Sequence, residues 1–116
     1  MSLASQLVFT LNHLRMEHHL PALHIVHLLS LNAETRRLAE SHAGAFHVSP
    51  LHVSFMGEML GWIRGATNPV AWLAHAFFMS PEHHAIFMSP VWNGIGASCQ
   101  TVQQTLHCAI EFGIMR

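Results

Sequence analysis

Ser80-Pro81-Glu82-His83-His84-Ala85-Ile86-Phe87-Met88-Ser89-Pro90-Val91-Trp92-Asn93-Gly94-Ile95-Gly96-Ala97-Ser98-Cys99 carries the clearest structural signals in this chain. Ser80 can accept hydrogen bonds from free backbone N–H groups, Pro81 suits a first helical position, and Glu82 meets the positive end of a helix dipole. A short helix starting there holds His83 at a fixed angle. Gly94 to Cys99 then reads as a strand whose glycines let another segment approach its backbone closely.

Working backwards, Asn68-Pro69 starts a helix that runs to about Met79, with Val70, Leu73 and Phe77 on one side and Trp72 and Ala76 beside them. It is apolar nearly all round, so it is either buried on most sides or touches a partner. Val53 to Trp62 alternates in part and carries a single carboxylate, Glu58, which needs a partner among apolar neighbours. From about Leu28 to His42 a helix places Leu28, Leu31, Thr35, Leu38 and His42 on one stripe, leaving Arg36 and Arg37 to face water. Ser5 to about Leu20 forms the first helix, with Leu7, Leu11, Leu14 and His18 on one face and Pro21 ending it. His13 and Glu17, one turn apart, can pair at the surface.

Working forwards, Ile95–Gln100 and Thr105–Phe112 form two strands. If Gln103-Gln104 is a two-residue turn, Cys99 stands opposite Cys108 at a non-hydrogen-bonded pair, where a disulfide is geometrically reasonable. Gln-Gln is a poor pair for such a turn.

The 116 residues make one domain, residues 1–116, in which Met1 to Leu3 reads as an expression leader. Half the residues (51%) are apolar and only 9% are charged, which excludes disorder. A net charge of -1, with no Lys and five scattered Arg, provides no basic patch and argues against nucleic acid. No apolar run approaches the roughly 20 residues that span a bilayer, and no secretory signal is visible. Twelve His stand against no Asp and no Tyr, either as a response to pH or as a substitute for other polar residues.

The Ser80–Cys99 stretch resembles the Ser-Pro-Gly-His-Arg-Ala-Asn-Ile-Leu box and following strand of bacterial CAP-superfamily domains (cysteine-rich secretory proteins, antigen 5, pathogenesis-related class one), with Glu82 and His84 replacing the usual Gly and Arg. Asn12–Leu23 resembles the family's first helix and the turn after it. Phe46-His47 resembles its Gly-x-Phe-x-His-Ser segment, Gly57-Glu58-Met59 its Gly-Glu-Asn motif, and Glu111-Phe112-Gly113 the close of its last strand. The likeness spans about residues 6 to 113.

It implies an α+β fold, a three-layer α-β-α sandwich around a small, mainly antiparallel sheet. It also implies a secreted or periplasmic binding domain in which His47, Glu58 and His83 meet in one cleft. Two imidazoles and a carboxylate suit Zn²⁺ or another divalent metal, with His52 a substitute for His47. Were the site hydrolytic, Glu58 would be its catalytic carboxylate. The alternative implied by relatives is a sterol- or lipid-binding module in which the polar cluster is structural. A second carboxylate usual in the family is absent between Glu58 and Glu82.

Overall fold

A computed structural model of the chain describes residues 1–41 and 53–115. The elements, in order, are α1 (Leu3–Glu17), β1 (His24–Ile25), α2 (His27–Ser41), β2 (Val53–Arg64), α3 (Pro69–Met79), α4 (Pro81–Phe87), β3 (Gly94–Val102) and β4 (Thr105–Met115). The strands lie in the order β1-β3-β4-β2. Only the two-residue β1 runs parallel to its neighbour, and the other pairings are antiparallel. This is the expected α+β sandwich.

Two glycines show how the helices divide between the faces. A Cβ on Gly96 would fall inside the backbone of Leu29 and Ser30, so α2 lies directly on that face of the sheet. A Cβ on Gly61 would come within 2.7 Å of the Phe77 ring and 3.0 Å of Leu73, so α3 covers the other. The main core forms on the second face. There Leu7 and Leu11 of α1 and Leu73 and Phe77 of α3 pack with Met59, Ile95, Ile110 and Phe112 of the sheet. Gly57 makes room for the Trp92 indole, whose Nε1–H donates to the Ile86 carbonyl at 2.7 Å.

The first helix starts and ends earlier than its periodicity predicts. It stops at Glu17, because His19 takes a left-handed conformation (φ 63°) and the N–H of Leu20 reaches back to the Arg15 carbonyl at 2.9 Å. Beside that end, Arg15 is fully buried. Its guanidinium donates to the carbonyls of Pro21 (3.1 Å), Phe87 (2.7 Å) and Ser89 (2.8 Å), tying α1 to the turn after it and to the end of α4. Asn12 clamps the same turn, exchanging two hydrogen bonds with the backbone of Leu23.

The stripe expected on α2 is rotated. Leu28, Leu31 and Leu38 are exposed, whereas Leu29, Asn32 and Ala33 are buried. Contact with glycine backbone is so close that small residues and one leucine fit against the sheet better than a row of leucines. Arg37, expected to face water, donates to Ser98 Oγ at 2.9 Å and Gln100 Oε1 at 2.6 Å. The β3–β4 hairpin has the expected register, with Cys99 opposite Cys108 and the two joined in a disulfide.

Candidate functional site

Of the three residues expected to share a cleft, His47 lies outside the described residues, as does its substitute His52. Glu58 projects from β2 on the face covered by α2, opposite in parity to Gly61. Its Oε1 accepts a hydrogen bond from Arg36 Nε at 2.6 Å, and its cross-strand neighbour is Glu111. Glu111 is only 2% exposed. Burial, a hydrogen bond to Glu58 and the charge of Glu58 push its carboxyl up to about 9, with Arg36 pulling the other way. At neutral pH Glu111 is therefore protonated and donates to Glu58. Sequence reasoning noticed that Glu58 needs a partner but placed Arg36 in water. The rotation of α2, hidden in its misleading leucine period, is what brings the two together.

His83 is held in the other helical layer. Its Nδ1 is 2.8 Å from Ser80 Oγ, and its ring packs on Phe77 with centroids 5.0 Å apart. Ser80 opens α4 as predicted, but its hydroxyl is engaged by His83 instead of capping backbone N–H groups. Glu58 and His83 thus have separate partners on opposite sides of β2. Among the described residues, no group of three or more His, Cys or carboxylate side chains is placed to hold a metal ion.

What His83 does border is a groove of about 390 Å³ running between the outer strand β2 and helix α3. Leu73, Ala76 and Phe77 supply its apolar wall, the strand at Leu60, Gly61 and Trp62 borders it, and Ser80 with His83 supplies a polar end. The size falls in the range that holds a small organic ligand, and an apolar wall with a few convergent polar groups is the usual composition of such sites. Gly61 keeps the floor open, since its missing side chain leaves Phe77 to form the surface. Trp62, of the same parity as Glu58, is 65% exposed on the other face of β2. Sequence reading singled out neither Trp62 nor Ala76 as site residues. The signal for Ala76 was present in an α3 apolar on every side, which one sheet face cannot bury.

No family model and no curated protein match the chain. Solved structures do share its fold. An outer surface protein from Borrelia burgdorferi superposes with a TM-score of 0.75 at 18% identity, over 95% of this chain and 90% of that one. A cysteine-rich secretory protein from Staphylococcus aureus gives 0.72 at 17% identity, over 96% of this chain and 38% of that one. An extracellular protein containing an SCP domain from Bacillus anthracis gives 0.71 at 14% identity, over 96% and 40%. The chain thus has the CAP-like (SCP-domain) fold that its motifs resemble, and it spans well under half the length of the latter two proteins.

Proposed function

We propose that this chain is an extracellular SCP-like binding domain that takes an apolar ligand with one polar group, a sterol or other lipid, into the groove between β2 and α3. The observation that carries this reading is the groove's composition: an apolar wall ending in the Ser80–His83 pair. The ligand's apolar body would displace water from the Leu73, Ala76 and Phe77 wall, and its hydroxyl or carboxyl would meet Ser80 and His83. Glu58, Arg36 and Glu111 serve as a structural cluster that joins α2 to the sheet. An extracellular location accords with the names of the structural neighbours, which are surface, secretory and extracellular proteins.

Titration with a fluorescent sterol and a fluorescent fatty acid tests the reading. Saturable binding to the native chain, lost in Ala76→Trp because the indole fills the groove, is the expected result. Binding that survives Ala76→Trp, or no binding of either probe, would reject it.

A second reading keeps His47, Glu58 and His83 as ligands of Zn²⁺ or another divalent metal. In its favour, Ser80 fixes one ring nitrogen of His83, the kind of outer contact that orients a ligating imidazole. It requires Glu58 to leave Arg36 and β2 to turn that side chain towards His83, which lies on the strand's other side. Calorimetry with Zn²⁺ decides it: affinity that falls in His83→Ala supports the site, and absent or unchanged affinity removes it.

A further inference from the structure

The sheet ends on one side in the two-residue β1 and on the other in the 12-residue β2, which pairs only with β4 among the described residues. Its backbone groups divide by parity. Gly65 N–H donates to the Gln104 carbonyl at 3.0 Å. Counting back from the turn at Gln103 and Gln104, Cys99 and Cys108 form a non-hydrogen-bonded pair, so Cys108 turns its N–H and C=O to Gly61 on β2. Odd residues of β2 therefore bond to β4. Alternation directs the N–H and C=O of Glu58, Leu60, Trp62 and Arg64 away from the sheet.

Such a row of backbone groups is a template for another strand, and proteins usually blunt it with Pro, Lys or a bulge. From Gly57 to Arg64 β2 has neither Pro nor Lys, and its register with β4 is unbroken. The irregularity in that pairing lies earlier, between Val53 and Met56.

The side chains along this edge say which strand fits it. Glu58, Leu60, Trp62 and Arg64 share the α2 face, and Gly61 lies on the other. Within one chain Glu58 and Arg64 stand about 20 Å apart along the strand, too far to pair. Arg64 is exposed and makes no ion pair among the described residues. Glu58 keeps 26% of its side chain exposed beside Arg36, so a second cation can reach it.

A second copy, turned about a two-fold axis through Gly61 and perpendicular to the sheet, lays its β2 antiparallel against this one. Glu58 then stands opposite Arg64 of the partner subunit, Leu60 opposite Trp62 of the partner subunit, and each pair occurs twice. Even residues oppose even residues, as the outward backbone groups require, and all four side chains remain on one face. Gly61 meets its own copy with no side chain to clash. Sliding the copy by two residues in either direction sets Leu60 or Trp62 opposite itself and removes both ion pairs, so charge selects the centre.

We infer that two copies of this chain join along β2, centred on Gly61, into one continuous sheet. The inference does not rest on the groove reading. Its side-chain contacts lie on the α2 face, whereas the groove's wall belongs to α3, and the two share only the strand's backbone.

The test is sedimentation equilibrium of the full chain from about 1 µM to about 500 µM, with amide hydrogen exchange at both ends of that range. The native chain should dimerise, and the amides of Leu60 and Trp62 should gain protection as concentration rises. Arg64→Glu sets like charges opposite each other, and Trp62→Pro deletes an outward N–H that β4 does not use. Each should weaken the dimer about tenfold or more. Circular dichroism checks folding, and Arg64→Glu, at an exposed position, decides the matter alone if Trp62→Pro does not fold. A chain that stays monomeric throughout overturns the inference. So does a dimer whose affinity Arg64→Glu leaves unchanged, or one in which the Leu60 and Trp62 amides gain no protection.

Titration with a fluorescent fatty acid separates the two readings. Binding by a chain that stays monomeric overturns the interface and leaves the groove standing. A β2 dimer that binds no probe upholds the interface and rejects the groove.

Discussion

Glu111 is a carboxyl group placed where water scarcely reaches it, hydrogen-bonded to Glu58 and faced by Arg36. Its folded pKa of about 9 lies above the ordinary value of 4.5, so the unfolded chain releases this proton first as pH rises. The stabilising contribution is complete below about 4.5 and is lost as pH climbs towards 9, by at most about 1.4 kcal/mol per pH unit. Glu111→Gln keeps the size and can still donate to Glu58 but cannot titrate. Urea unfolding between about pH 5 and 8 should therefore show a downward slope in the native chain that is shallower in Glu111→Gln; equal slopes would contradict the assignment. The sequence told part of this story. That Glu58 needed a partner was legible from its apolar neighbours, but the partners come from a helix and a strand whose facing depends on contacts 22 and more residues away. Arg15 is a similar case: its place in a helix was plain, while its three carbonyl partners lie at residues 21, 87 and 89.

Each helix that opens with Pro was placed correctly, because the fixed φ of Pro suits the first turn, although neither Asn68 nor Ser80 caps its helix through its side chain. The buried face of α2 was misread because Leu28, Leu31 and Leu38 form a convincing period, yet the decisive constraint is a strand distant in sequence. Gly96→Val should test that constraint. Its side chain would enter the backbone at Leu29 and Ser30, and denaturation should show a loss of about 3 kcal/mol or more. A loss below about 1 kcal/mol would mean that α2 does not sit so close. The hairpin turn shows the opposite pattern. Gln103 and Gln104 both adopt positive φ, 49° and 67°, a conformation that side chains with a Cβ resist. Replacing them with Asn-Gly should raise stability by about 1 kcal/mol, read as a higher urea midpoint at unchanged slope, and an unaltered midpoint would contradict the turn geometry.

Across the molecule, the sandwich separates two kinds of chemistry. One face of the sheet uses Glu58, Glu111, Arg36 and Arg37 to fasten α2, and the other builds the main core and leaves a groove at its outer strand. The three layers were legible because short motifs spread from residue 6 to 113 resemble one family, and the solved structures that share the fold agree. The groove was not, since it arises where β2, α3 and α4 meet and no local pattern marks it. The most direct measurement is photocrosslinking of the native chain with a diazirine-bearing sterol or fatty acid, followed by mapping of the modified residues by mass spectrometry. Adducts concentrated at Leu73, Ala76 or Phe77, and competed away by unlabelled ligand, are the predicted result. Adducts confined to the α2 side of the sheet, or scattered and insensitive to competitor, would contradict it.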